Sequence, residues 1–357
     1  KPKPRASSQR LRPEVRERLD SLGIWDVTYG LAEQIEMAAA AAAEVTDLPP
    51  IEDIDHVVMM GMGGSGIAGD VVRAVAGPHM PIPVVVEKGY ACPSFVSSHS
   101  LVFAVSFSGD TEETLEAVAE AEAVGANVIV VTSGGQLAEL ADANGLPVLP
   151  IDASIPQPRA AIGAVAVPPL VALGAIGLYP GAQQWISLAV DQLRARRDEL
   201  AEEGNVADRL AQRIGRTFPL FYGGAGLGQV AALRWKGQVN ENTKAPAFSN
   251  TLPELCHNEL AGWGQSGDVT RQVFTLVNLR HDFEHPQLSR RFDFNNQAVQ
   301  EVVASIEEVR AEGEGRLAQL LDLTLIGDYV SLYLAAAQDV DPGPVPILTD
   351  LKQYLRL

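Results

Sequence analysis

The chain has 357 residues, of which 46% are hydrophobic and 20% are charged, so it is long and apolar enough for two globular domains and is not a disordered protein. Its formal net charge of −18 opposes binding to nucleic acids and to anionic membrane surfaces. The two cysteines, Cys92 and Cys256, form no CxxC pair, which argues against a disulfide framework or a zinc site. Free thiols are typical of the cytoplasm, where we expect the protein to be found.

Residues 1–46 are predicted to form an N-terminal arm with helices at 13–22 and 27–45, the second because of its alanine run. Strands and helices then alternate. Apolar runs predict strands at residues 56–60, 83–86, 101–105, 127–132 and 147–150, with helices at 67–75, 112–124 and 136–143. This alternation is typical of a doubly wound parallel sheet.

The apolar run at 160–178 contains Gly163, Pro168 and Pro169, and we interpret it as a buried helix rather than a membrane span. A long charged helix at 183–203 predicts a boundary between a first domain, 47–203, and a second domain, 204–357. In the second domain we predict strands at 218–222, 273–278 and 305–311, and helices at 229–239, from 290, at 316–337 and at 347–357. Residues 59–74 resemble residues 221–236, so two similar halves with a site in the cleft between them are expected.

A glycine-rich loop, Gly61-Met62-Gly63-Gly64-Ser65-Gly66, follows the first strand and opens a helix. It matches G-x-G-x-x-G, and Glu87 at the end of the next strand could bind the ribose of a dinucleotide. The unpaired N–H groups of a helix N-terminus bind any anion, however, so a phosphate ester would suffice. A third possibility is that the glycines only permit close packing of strand and helix.

A second polar loop, Ser106-Phe107-Ser108-Gly109-Asp110-Thr111, follows the third strand of the same predicted sheet. Its hydroxyls and the N–H groups of the following helix can satisfy a terminal phosphate without any lysine or arginine. Ser, Asp and Thr are also common helix caps, so capping alone could explain the loop in isolation. Together with Ser65, the pattern favours a phosphate-binding cup over a dinucleotide site.

The two loops resemble the sugar isomerase (SIS) domain family. In the second half, residues 240–244 (NENTK) and 252–258 (LPELCHN) are similar to the bifunctional phosphoglucose/phosphomannose isomerases. Arg159 and Lys352 fall where that family's pattern expects a basic residue. The resemblance covers about residue 50 to the C-terminus, and it implies an α/β fold of two SIS-type subdomains, each a parallel-sheet αβα sandwich with flavodoxin-like doubly wound topology.

The resemblance implies a role for each matching residue. Glu241 would be the base that moves a proton between C1 and C2 of a sugar 6-phosphate through a cis-enediol. His257 and Lys352 would assist ring opening, and Arg159 would stabilise the enediolate. A homodimer would place His257 in the site of the partner subunit. The phosphate would be held by the cup residues, Gly64, Ser65, Ser106, Ser108 and Thr111.

This chemistry requires a carboxylate over two adjacent carbons and a donor at the oxyanion, but no metal or redox cofactor. Two other functions stay open, namely a non-catalytic sugar-phosphate-binding protein and an NAD-dependent dehydrogenase. Where the family tends to have a polar residue before Pro346, this chain has Val345, which cannot donate a hydrogen bond. The sequence therefore leaves open whether both C2 epimers are substrates.

Overall fold

The computed structural model describes residues 19–355, which divide into two compact units. The first unit comprises Gly30–Arg194 and Glu312–Asp322, and the second comprises residues 19–29, Ala195–Ala311 and 323–355. Most of the predicted helix at 13–22 lies outside the described residues. Each unit contains one sheet, and the predicted domain limits of 47–203 and 204–357 stay a prediction.

Nine strands and thirteen α-helices are named here in chain order. The strands are β1 (His56–Met60), β2 (Val84–Glu87), β3 (Ser100–Ser106), β4 (Asn127–Thr132), β5 (Val148–Pro150), β6 (Phe218–Gly224), β7 (Phe248–Leu252), β8 (Phe274–Arg280) and β9 (Ser305–Arg310). The helices are α1 (Ile24–Tyr29), α2 (Leu31–Ala43), α3 (Gly63–Val75), α4 (Glu112–Ala123), α5 (Gly135–Asn144), α6 (Ile162–Ile176), α7 (Ala182–Ala201), α8 (Val206–Ile214), α9 (Leu227–Gln238), α10 (Gly267–Val273), α11 (Pro286–Val299), α12 (Gly315–Ala337) and α13 (Pro346–Leu355).

The sheet of the first unit has the order β2-β1-β3-β4-β5, and all its pairings are parallel. This order confirms the predicted flavodoxin-like topology. Side chains alternate between the two faces of a strand. Val58 and Met60 accordingly pack with the buried residues of α4 and α5, whereas Met59 faces α3, where a Cβ on Gly69 would lie 2.8 Å from the Met59 Cβ. Helices therefore cover both faces.

The sheet of the second unit has the order β7-β6-β8-β9, again with parallel pairings. It repeats the first four positions of the other sheet. Tyr222 of β6 belongs to a core cluster with Phe292 of α11. Its neighbour Phe221 points to the opposite face and meets Trp235 of α9 edge-on, with ring centroids 5.3 Å apart. The prediction of two similar α/β halves is confirmed.

Several local predictions differ from the structure. The predicted helix at 27–45 is two helices that Gly30 separates. Strand β7 and helices α8 and α10 were not predicted. Helix α12 is long and apolar enough to cross a membrane, but 83% of its most apolar window is buried in the protein, which is the pattern of a core helix.

Candidate active site

The glycine loop lies between β1 and α3. The N–H groups of Ser65 and Gly66 both donate to the Met62 carbonyl, over 3.0 and 2.9 Å, so the chain turns tightly into the helix. Residue 66 must be glycine, because a Cβ there would lie 2.7 Å from the Gly61 carbonyl oxygen. The Ser65 side chain is only 5% exposed and faces the protein interior.

The second loop follows β3, which pairs directly with β1. Its main-chain Phe107 N–H donates to the Ser65 hydroxyl oxygen over 2.9 Å, so the two loops are joined although they are 42 positions apart in sequence. The strand order changes direction between β1 and β3, since β2 lies on the other side of β1. In open α/β sheets, ligands bind at such a switch point, outside the carboxyl ends of the strands.

The remaining cup hydroxyls are arranged around Gly109. The Ser106 hydroxyl oxygen accepts the Gly109 N–H over 3.1 Å and lies 2.9 Å from the Thr111 hydroxyl. Thr111 is the N-cap residue of α4, yet its side chain makes no capping hydrogen bond. Ser108 is exposed, and its hydroxyl accepts the Asp110 N–H over 3.3 Å. Capping alone therefore does not account for the loop, and hydroxyls and helix N–H groups converge where an anion could bind.

Arg159 lies beside the glycine loop. It belongs to a short 3₁₀ helix, Pro158–Ala160, and is 2% exposed. A Cβ on Gly64 would lie 3.0 Å from the Arg159 main-chain nitrogen, so the two segments are in close contact. The Arg159 guanidinium donates to the Gln157 side chain over 3.2 Å. The first unit thus brings together all five predicted cup residues and Arg159.

Lys88 is a cation near the glycine loop that sequence reasoning missed. It follows β2, and its Cε would lie 3.4 Å from a Cβ on Gly66. Its ammonium forms an ion pair with the buried carboxylate of Asp70 in α3. The preceding residue, Glu87, accepts the Gly61 N–H at its main-chain oxygen over 3.3 Å. The end of β2 therefore supports the loop, and the only available sequence signal was a lysine directly after an apolar strand.

Glu241 belongs to the second unit. Helix α9 continues into one turn of π-helix, Val239–Thr243, a conformation found often at functional sites. Glu241 is half-buried, and its two following neighbours anchor the turn to α12. The Asn242 amide donates to the Ser331 hydroxyl, and the Thr243 hydroxyl donates to the Ser331 carbonyl, both over 2.9 Å.

A buried ion pair fixes the helix that leads to Glu241. The Arg234 guanidinium of α9 makes two hydrogen bonds to the Asp328 carboxylate of α12, over 3.2 and 2.8 Å. The Gln238 amide donates to the same carboxylate over 2.8 Å. The two charged side chains are 4% and 6% exposed. Because such a pair tolerates little movement, the end of α9 has a defined position.

His257 ends a 3₁₀ helix, Glu254–His257, and is exposed. Two residues later, the Glu259 carboxylate accepts hydrogen bonds from the buried Tyr222 hydroxyl and from the Asn250 amide. Burial and the neighbouring Glu259 carboxylate raise the pKa of Tyr222, so it remains a neutral donor. These contacts tie the His257 segment to β6 and β7.

Lys352 lies on α13, a helix without a buried residue. Glu241, His257 and Lys352 are therefore placed on three separate elements of the second unit, while the cup and Arg159 belong to the first. Within residues 19–355, no group of three or more His, Cys, Asp or Glu side chains could hold a metal ion.

Two family models match the chain. The model described as bacterial phospho-glucose isomerase C-terminal SIS domain matches residues 203–355, and the SIS domain model matches residues 51–153. A solved structure with a similar fold is the C-terminal domain of glucosamine-fructose-6-phosphate aminotransferase from Francisella tularensis, with a TM-score of 0.68 at 16% identity over 89% of this chain and 97% of that one.

Two curated relatives cover nearly the whole chain. The bifunctional phosphoglucose/phosphomannose isomerase of Caldicellulosiruptor bescii is 38% identical over 93% of this chain and 98% of its own length. The protein of the same name from Aquifex aeolicus is 31% identical with the same coverage. The chain therefore belongs to the bifunctional phosphoglucose/phosphomannose isomerase family.

Proposed function

We propose that the protein is an aldose–ketose isomerase that interconverts glucose 6-phosphate or mannose 6-phosphate with fructose 6-phosphate in the cytoplasm. The observation that supports this best is the hydrogen bond from Phe107 to Ser65. It joins two serine-containing helix starts at the switch point of the sheet, where one phosphate group can meet both. The names of the relatives agree with this activity.

The phosphate would be held by neutral donors. The main-chain N–H group of Gly64 and the hydroxyls of Ser65, Ser106, Ser108 and Thr111 would donate to its oxygens. Charge-assisted hydrogen bonds of this kind are stronger than neutral ones. They also compensate for the net charge of −18, which repels an anionic substrate at long range.

Glu241 would act as the base on the open-chain sugar. Its carboxylate removes the proton from C2 of the aldose, the electron pair of that bond forms the C1–C2 double bond, and O1 becomes the oxyanion. Arg159 donates hydrogen bonds to this oxyanion and keeps its own protons. Glu241 then returns the proton to C1, while O2 loses a proton and O1 gains one, so no oxidant or reductant is consumed.

His257 and Lys352 would assist opening of the sugar ring, which requires a proton at the ring oxygen and removal of one from the anomeric hydroxyl. We further propose a homodimer in which His257 serves the site of the partner subunit. The exposure of His257, together with its attachment to β6 and β7 through Glu259, supports a fixed side chain that is available to a second chain.

The central test is Glu241→Gln, with Glu301→Gln as the control because Glu301 is also a carboxylate of the second unit but is exposed. We expect Glu241→Gln to lower turnover by orders of magnitude, with fructose 6-phosphate binding nearly unchanged, and to abolish deuterium uptake from D₂O into the substrate. Parallel assays with both aldose phosphates measure the epimer preference. Full activity of Glu241→Gln would exclude this base, and binding without deuterium uptake in the unmodified protein would identify a non-catalytic sugar-phosphate-binding protein.

Mixing two inactive variants tests the shared site. In a mixed dimer of Glu241→Gln and His257→Ala, one site combines an intact Glu241 with an intact His257 only if His257 acts across the interface. Random mixing should then restore about a quarter of the unmodified activity, since half of the dimers are mixed and each has one complete site. No gain on mixing would place His257 in the site of its own chain.

A further inference from the structure

We propose that Lys244 is a positioning residue that fixes the C-terminal helix with Lys352 relative to the turn with Glu241. Lys244 thus forms a tie between two segments, the turn with Glu241 and the chain that leads to α13. This inference rests on the proposed function, because each of the two segments carries a residue of the proposed reaction. Lys244 itself has no place in the proton transfer.

The Lys244 ammonium reaches two separate stretches of main chain. It donates to the carbonyl oxygens of Asp341 and Pro342 over 2.7 and 3.0 Å, and the Asn242 carbonyl oxygen lies 3.5 Å away. An ammonium has three donors and no acceptor, so it can donate to more than one carbonyl at once. Asp341 and Pro342 lie five and four positions before Pro346, where α13 begins, while Asn242 is next to Glu241.

The backbone at Lys244 is in an unfavourable conformation. Its φ of 55° lies in the left-handed region, which residues other than glycine seldom adopt and which persists only where surrounding contacts impose it. It follows directly on the π-turn. The lysine side chain that leaves this backbone reaches residues 341–342. Helix propensity alone predicts neither the π-turn nor the left-handed residue that follows it.

Both ends of the tie are held independently of Lys244. Ser331 of α12 holds Asn242 and Thr243. The Asp341 carboxylate accepts the Gly343 N–H over 2.9 Å, which shapes the turn before α13. Removing the ammonium should therefore leave both segments folded and abolish their mutual alignment. The phosphate cup is built from other residues, so the change should affect kcat rather than phosphate affinity.

The test compares Lys244→Gln with Lys236→Gln, which removes the other lysine of this region, on α9. We expect Lys244→Gln to lower kcat about 10- to 100-fold, as small misplacements of catalytic groups do, while the dissociation constant for fructose 6-phosphate and the unfolding midpoint stay unchanged. Lys236→Gln should resemble the unmodified enzyme. Lys244→Asn is the second variant, because asparagine tolerates the left-handed region but lacks the ammonium, and it should behave in the same way if glutamine impairs folding.

Two readouts separate positioning from a general structural role. In a Lys352→Ala background, Lys244→Gln should lower kcat much less than alone, because the residue it positions is already gone. Amide hydrogen exchange in α13 should increase in Lys244→Gln with no sugar present. Multiplicative effects on kcat, or unchanged exchange in α13, would overturn the proposal. Since the exchange measurement requires no activity, it tests whether Lys244 fixes α13 even if the proposed isomerase reaction is wrong.

Discussion

The phosphate cup predicts that two of its serines differ sharply in what they contribute to stability. Ser108 is exposed, and its hydroxyl accepts one N–H over 3.3 Å, so Ser108→Ala should change the free energy of unfolding by less than about 0.5 kcal/mol. Its hydrogen bond to a charged phosphate should contribute about 1.5–3 kcal/mol. That corresponds to a rise of about 10- to 150-fold in the dissociation constant for fructose 6-phosphate.

Ser65→Ala should differ because the Ser65 hydroxyl also accepts the Phe107 N–H. An N–H left without its acceptor costs about 1–3 kcal/mol of folding free energy, so this variant should lose both stability and affinity. Ser133→Ala is the matched control. The Ser133 hydroxyl donates to the Phe107 carbonyl over 2.6 Å but is not a cup residue, so its loss should lower stability with little effect on affinity.

Calorimetric titration with fructose 6-phosphate and with inorganic phosphate, together with urea unfolding, measures both quantities for each variant. The reasoning would be refuted by a Ser108→Ala variant that binds both ligands as tightly as the unmodified protein. It would be refuted equally by a Ser65→Ala variant whose unfolding free energy is unchanged.

Three further outcomes are expected. Burial raises the pKa of Tyr179 to about 12, with a smaller opposing effect of Arg316. Since this pKa exceeds the value of about 10 in the unfolded chain, about 3 kcal/mol of the stability present below pH 10 should be lost as the pH rises through 12. Urea unfolding between pH 9 and 12 measures this loss. Asp328→Ala removes the carboxylate that accepts two hydrogen bonds from the buried Arg234 guanidinium and should cost about 3–5 kcal/mol in the same assay. Calorimetry should also give one fructose 6-phosphate per chain, and two would contradict the single cup.

Much of the first sheet could be predicted because its three central strands, β1, β3 and β4, are buried on both faces and are therefore continuous apolar runs. Strands β1 and β4 begin and end where the sequence predicts. Strand β7 was missed because it lies at the edge of its sheet, and its sequence, FSNTL, has polar residues at three of five positions. No apolar run marks such a strand.

The candidate site could also be predicted only in part. The two serine loops carry local signals, since hydroxyls and glycines follow strands and precede helices. No local sequence signal marks the hydrogen bond between Ser65 and Phe107, the Lys88–Asp70 pair over the glycine loop, or the contact of Lys244 with the carbonyls of residues 341 and 342. Each joins segments that are separated in sequence, and a single chain without its fold gives no means of pairing them.

The second sheet explains why the same topology should bind only one phosphate. The glycine-rich segment 223–228 (GGAGLG), which joins the end of β6 to the start of α9, has no hydroxyl. It closes on itself so tightly that a Cβ on Gly223 would lie 1.9 Å from the Gly228 oxygen. The neighbouring strand β8 is followed by Glu284, whose carboxylate binds the Arg280 guanidinium and whose Cγ would lie 3.5 Å from a Cβ on Gly224. An anion at this second switch point would meet a carboxylate and no free hydroxyl of the loop. In the proposed reaction the two sheets therefore have separate roles: the first would bind the phosphate at the ends of its strands, whereas the second carries Glu241 at the opposite end of α9.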